Sequence, residues 1–257
     1  MTTTGAAVQP SDVQLVAASR FDGVHFLAVF DRHASGVHAY LARRMGDGAA
    51  DSGLGEAFAS AYASRRHFRA WGDSAGPWLL GVATGLVRRQ WRLEQARLRS
   101  FRDEPADCGA GAIADHLQHL AARDRDILLL AAWEDQEPAA VAMALDLPDR
   151  AVVSRLAGLA GELAWFATAP SRPPVPARSG DPAGAGDGLD RLRAMCPPIG
   201  PLDPTRRAAV RRDLQVLAGL TDRDGAARST ISVAAEHEQH RRWLARPGAS
   251  LARRSRR

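Results

Sequence analysis

Apolar residues recur at helical spacing along much of this 257-residue chain, and no stretch shows the two-residue alternation of a half-buried strand. Between Phe21 and Met45, the residues Phe26, Val29, Phe30, Val37, Tyr40 and Leu41 fall on one helical stripe. Gly46-Asp47-Gly48 interrupts that stripe, and a second helix is expected from Asp51 to Arg65. After a turn at Gly72–Pro77, Pro77 suits the first turn of a helix with Trp78, Leu79, Val82, Ala83 and Leu86 on one face and Arg88, Arg89 and Arg92 at its far end. Residues 101–112 read as a linker by composition. Beyond them, helical patterns span Ala121–Leu130, Glu137–Leu145 and Asp149–Leu159, the last two separated by Asp146-Leu147-Pro148. A short helix, a tight turn and a second helix is the arrangement that lays one helix in a DNA major groove.

The flanks carry weaker signals. Residues 1–18 read as a loose leader, and Pro170–Gly188 is rich in Pro, Gly, Ala and Ser and reads as disordered. Pro204–Leu220 predicts a modest helix striped by Ala208, Leu214, Leu217 and Ala218. The expected fold is therefore all-α: two small helical domains at 19–100 and 113–167, a linker at 101–112, and a largely disordered, arginine-rich extension at 168–257.

Composition agrees with small helical domains, since 46% of residues are hydrophobic and only 6% aromatic, too few aromatics for a typical β-sandwich or barrel. No stretch approaches the roughly 18–20 apolar residues of a membrane span, and Met1–Gly5 lacks the pattern of a signal peptide. Cys108 and Cys196 stand alone without metal-ligand spacing, so a reduced, cytoplasmic chain is expected. All 34 basic residues are arginine, which points to a high-GC genome. The net charge of +5 conceals a division: residues 1–102 carry 13 arginines against 8 acids, residues 103–170 carry 4 against 12, and residues 171–257 carry 17 against 9. Basic head, acidic middle and basic tail follow one another.

Catalytic chemistry is not evident. No serine–histidine–carboxylate set, phosphate loop or carboxylate pair presents itself, and Gly81–Gly85 is helix sequence, so neither enzymatic activity nor a cofactor is expected. His116/His119 and His237/His240 are each three apart without further ligands, and no metal site is expected. Two constellations do carry a chemical signal. Arg88, Arg89, Arg92, Arg97, Arg99 and Arg102 surround Trp91, pairing phosphate-neutralising guanidinium groups with an indole on which an unpaired base can stack. In the last helix of the turn motif, Arg150, Ser154 and Arg155 are the polar residues able to reach a groove, although the module around them is acidic.

In these features the chain resembles the sigma-70 factors of bacterial RNA polymerase, in the extracytoplasmic-function group. Phe21–Arg92 resembles region 2, most closely at Trp78-Leu79-Leu80-Gly81-Val82-Ala83 and at Asp31-Arg32-His33 with Val37 and Tyr40-Leu41. Leu120–Leu159 resembles region 4 through Arg123-Asp124-Arg125-Asp126, Ala142-Met143-Ala144-Leu145 and Ser154-Arg155-Leu156. The resemblance implies binding to core RNA polymerase and to promoter DNA, with an anti-sigma factor as a further partner and no membrane insertion. It assigns Leu54, Glu56 and Phe58 to the polymerase-facing helix, Arg88, Arg89, Trp91 and Arg92 to the melting minus-ten DNA, and Arg150, Ser154 and Arg155 to the minus-thirty-five element.

The chain departs from the family where an Asp-Leu-Val-Gln-Glu-like run is usual and Ser52-Gly53-Leu54-Gly55-Glu56 stands instead. Each glycine weakens a helix by about 1 kcal/mol relative to alanine. Val153 likewise replaces a common arginine, and Ala157–Ala160 a usually basic ending. A second reading is therefore a sigma-derived interaction module that has lost promoter opening. The oppositely charged tail and middle segment should also attract each other across their Pro/Gly linker, masking region 4.

Overall fold

The computed structural model describes residues 9–68, 70, 72–103, 108–168 and 185–220, and among these residues there is no strand. The helices are α1 (Asp12–Ala18), α2 (Val24–Met45), α3 (Asp47–Ser64), α4 (Gly76–Arg89), α5 (Trp91–Asp103), α6 (Cys108–His119), α7 (Ala122–Ala132), α8 (Pro138–Leu145), α9 (Asp149–Thr168), α10 (Ala185–Ala194) and α11 (Pro204–Leu217).

The first module is built on α2, α3 and α4. The stripe read from the sequence is its core: Phe26, Val29, Phe30, Val37, Tyr40 and Leu41 are all buried. Phe30 meets Phe58 edge-on at 4.8 Å between ring centres, and Phe26 meets Tyr62 at 5.3 Å, the geometry favoured by aromatic quadrupoles. Gly46, at φ +88°, ends α2 and turns the chain directly into α3, a conformation that disfavours side chains. The turn is tighter than expected, so α3 begins at Asp47 rather than Asp51.

In the second module, α7 buries every residue from Arg125 to Ala132. Pro138 opens α8 in the first turn, where its missing N–H costs nothing. Asp146 closes α8 in the left-handed region at φ +53°, and the Leu147 N–H donates to the Ala142 carbonyl at 2.8 Å. Pro148 then leads into α9, as the sequence predicts.

Four expectations are corrected. Within the leader, Ser11 caps α1 reciprocally with Gln14, and buried Asp12 fastens the helix to the body. Asp12 accepts from the Ala75 N–H at 2.9 Å and from Arg32 Nη1 at 2.8 Å, with His33 Nε2 2.5 Å away. Burial opposes its charge, but these partners together hold its carboxyl below the usual range. Within the expected linker, α5 runs to Asp103 and α6 starts at Cys108, because buried Leu98, Ile113 and Leu117 outweigh the poor helix propensity of Gly109 and Gly111. The arginine-edged helix is not continuous: Gln90, at φ −100° and ψ 31°, divides it into α4 and α5. Finally, residues 185–188, expected in the disordered run, open α10.

Both extension helices lie on the body. A Cβ on Gly188 would stand 2.5 Å from the Ala160 carbonyl, so only glycine lets α10 approach α9 this closely, and Trp133 Nε1 donates to the Leu192 carbonyl at 2.9 Å. The helix α11 is capped by Asp203, which accepts from the Arg206 N–H, and it buries Val210 and Leu214 against α2 and α3 while Ala208 stays exposed.

Candidate nucleic-acid interface

The two modules meet along a seam of buried charge. Arg44, whose side chain is 1% exposed, donates Nε to Glu94 at 2.6 Å, Nη2 to Asp126 at 2.6 Å and Nη1 to the Tyr40 hydroxyl at 2.6 Å. Arg88 Nε donates to the other Asp126 oxygen at 2.6 Å, and Arg125 Nε to the other Glu94 oxygen at 3.1 Å. Arg125 Nη1 also satisfies the Leu117 and Leu120 carbonyls, both at 3.1 Å, at the end of α6. Arg44, Arg88 and Glu94 come from the first module; Arg125 and Asp126 come from the second. Burial raises the Tyr40 phenol and opposes the Arg44 charge, yet Tyr40, Glu94 and Asp126 outweigh that opposition and hold Arg44 protonated.

Two further contacts close the seam. A Cβ on Gly81 would collide with the Ala144 carbonyl oxygen, so glycine lets α4 and α8 touch backbone to backbone. Arg43 Nη1 lies 2.5 Å from Glu134 Oε1 at the end of α7, where burial pushes the Glu134 carboxyl up to about 7 despite that guanidinium. Burial likewise raises the neighbouring Cys196 thiol.

Arg125 and Asp126 were read only as part of the region 4-like run, and Arg44, Glu94 and Glu134 were not singled out from the sequence. A signal existed at Arg44, which sits one helical turn beyond Tyr40 on the apolar stripe, and at Asp126, which directly precedes the apolar run of α7.

The residues expected to touch DNA fall into two sets. Arg88, Arg89, Trp91 and Arg92 gather where α4 passes into α5. Trp91 is 54% exposed, with the Arg92 guanidinium 6.0 Å from its ring centre, while Arg88 is half-buried on Asp126 and Arg89 pairs with Glu56 of α3. On α9, Arg150 and Ser154 lie one turn apart on an exposed face beside Val153. Arg155 is turned toward α7, where its Nε and Nη2 donate to Asp124 at 2.9 and 2.7 Å and Nη1 stands 3.7 Å from Glu162. This fork lowers the Asp124 carboxyl and raises the Arg155 guanidinium.

The polymerase-facing assignment is corrected for two residues. Leu54 and Phe58 are fully buried core residues, because positions 50, 54, 57, 58 and 61 form the inward stripe of α3. Glu56 keeps part of its side chain at the surface. His116 faces Glu162 at 3.5 Å, with burial lowering its pKa, and among the described residues no group of metal-binding side chains forms. His237 and His240 lie outside the described residues.

Chemically, the α4–α5 corner offers a stacking face beside guanidinium groups, and the start of α9 offers donors for base edges. Arg88, Arg89 and Arg155 already hold carboxylates, which are the geometric stand-ins for phosphate oxygens. Residues 29–97, spanning α2 to the middle of α5, match the family model described as Sigma-70 region 2. No curated protein matches the chain.

Proposed function

We propose, from the premise that this chain is a sigma-70 family member carrying region 2 over residues 29–97, that it binds core RNA polymerase and recognises promoter DNA. The match to region 2 is the observation that carries this reading, and it supports a sigma-factor-like role in transcription initiation. Under it, exposed Trp91 stacks on an unpaired base of the opening promoter, and Arg88, Arg89 and Arg92 hold the adjacent phosphates. The α8–turn–α9 unit acts as a helix-turn-helix, with Arg150 and Ser154 reading an upstream element from the major groove and Arg155 joining them once it leaves Asp124.

No catalysis or cofactor enters this mechanism. The protein works beside polymerase in the cytoplasm, and no helix among the described residues is long and apolar enough to cross a membrane. An anti-sigma factor is a further partner on this reading.

The test is capture of core polymerase by the purified full chain, followed by run-off transcription from promoters beside its own gene. Core binding with specific transcripts is the expected result, and failure to bind core by folded protein refutes it. One observation favours a second reading, an interaction module without promoter opening: the buried seam fixes the two modules together, and three candidate DNA-binding arginines hold carboxylates, Arg88 in the seam and Arg89 and Arg155 within their own modules. Core binding without specific transcripts would select that reading.

A further inference from the structure

The face of α3 turned away from the core is covered by α11. Val210 and Leu214 are each 3% exposed, and Val210 Cγ2 lies 3.9 Å from where a Gly55 Cβ would stand. Arg206 donates to the Asp51 carbonyl through Nε at 2.8 Å and also through Nη2. On the other side, Arg207 Nη2 donates to the Asp31 carbonyl at 2.5 Å and Arg211 Nε to the Asp31 carboxylate at 3.0 Å. Just past the helix, Ala218 sits against the start of α2, where a Cβ on Gly23 would come within 2.5 Å of the Ala218 methyl. Anchors thus run the length of α11.

This packing lies over one departure of the sequence from the family-like run. At Gly55, where that run has a polar side chain, a Cβ would be in van der Waals contact with Val210 Cγ2. Gly53 has a different setting: it faces inward, 3.1 Å from Leu86 by the Cβ it lacks. Of the two glycines, only Gly55 faces the extension.

We infer that α11 is an intramolecular strap that occupies the α2–α3 face in the free protein and must leave it before core polymerase can bind there. The inference rests on the proposed function together with the family resemblance, which assigns α3, through Glu56, to polymerase. The anchors suit reversible docking: two are arginine bonds to backbone carbonyls, and the Arg211–Asp31 pair is more than a third exposed on both sides. A strap docked nine-tenths of the time weakens apparent affinity about tenfold, because only the open fraction binds.

Two full-length variants test this, each compared with its parent for affinity to purified core polymerase and for amide exchange across α3. Val210→Asp with Leu214→Asp releases the strap; Gly55→Cys with Val210→Cys, in a Cys108→Ser, Cys196→Ser background, fastens it on oxidation. Release should speed exchange at α3 and tighten core binding about tenfold. The fastened strap should weaken binding at least tenfold, with recovery on reduction. If the release variant fails to fold, the fastened pair decides alone. Equal binding by parent, released and fastened chains overturns the strap and leaves the proposed function standing. Binding by none of them, with folded protein, overturns the proposed function and the strap together.

Discussion

The α2–α3–α4 core and the seam between the modules bury large side chains equally well but by opposite means. In the core, Phe26, Phe30, Leu54 and Phe58 exclude water without directional bonds, so its stability grows with the area removed from solvent. In the seam, three guanidinium groups and two carboxylates replace water with one another, and much of the Coulombic gain offsets their desolvation. An ionic seam of this kind fixes one arrangement of the modules while contributing little net free energy. An apolar core resists opening; a charged seam has a second set of partners in water, or in phosphate, on opening. On the proposed reading, in which the two modules spread along DNA, the protein is better served by the second.

The comparison can be broken at several points. Phe58→Ala should cost about 3–5 kcal/mol in urea unfolding, and a loss below about 1 kcal/mol would show that the core is not close-packed there. Arg44→Met, which removes the charge that Glu94 and Asp126 share, should cost about 3 kcal/mol, whereas adding Glu94→Leu, Asp126→Leu and Arg125→Met, so that no buried charge is left unpaired, should recover most of that loss. Failure to recover would make the seam a net stabiliser and weaken the contrast.

Glu134 gives the seam a dependence on pH. Its carboxyl releases its proton at about 7 when folded and near its ordinary value of 4.5 when unfolded, so between these values the folded state holds more protons. The neutral side chain therefore contributes stability that is fully present below about 4.5 and is lost as pH rises through about 7. Wild-type stability relative to Glu134→Gln should fall over that window by on the order of 1–3 kcal/mol; a flat difference would place Glu134 in contact with water. The smallest effect belongs to Arg155→Ala, whose partly exposed pair with Asp124 should be worth less than about 1 kcal/mol of stability. On the proposed reading, the same change lowers promoter affinity and its salt dependence, measured by titration at several salt concentrations.

Much of this contrast was hidden from the sequence. The long helices α2 and α4 and the α8–turn–α9 unit were legible because apolar stripes, Pro77, Pro138 and the Asp146–Pro148 break are local signals. The seven-residue α1 is too short to show a stripe, and α6 and α10 begin among glycines whose cost is met only by tertiary packing. Charge was legible, but its burial left only a faint trace: Arg44 continues the apolar stripe of α2 and lies in the seam, whereas Arg150 lies in solvent. Leu54 and Phe58 teach a different lesson. The resemblance assigned both to polymerase, whereas their four-residue spacing among small apolar neighbours belongs to the inward stripe of α3.

The strap also acts as a clock during synthesis. Arg206 follows its anchor at Asp51 by 155 residues, and Arg207 follows Asp31 by 176. At about 5–20 residues per second, a ribosome makes the α2–α3 face roughly 10–30 s before it makes the helix that covers it. On the inferred role of α11, every new copy therefore passes through a brief uncovered youth, when polymerase near the translating message meets no competitor. Expression rate, and not only the amount of finished protein, then sets how much of this face the cell sees.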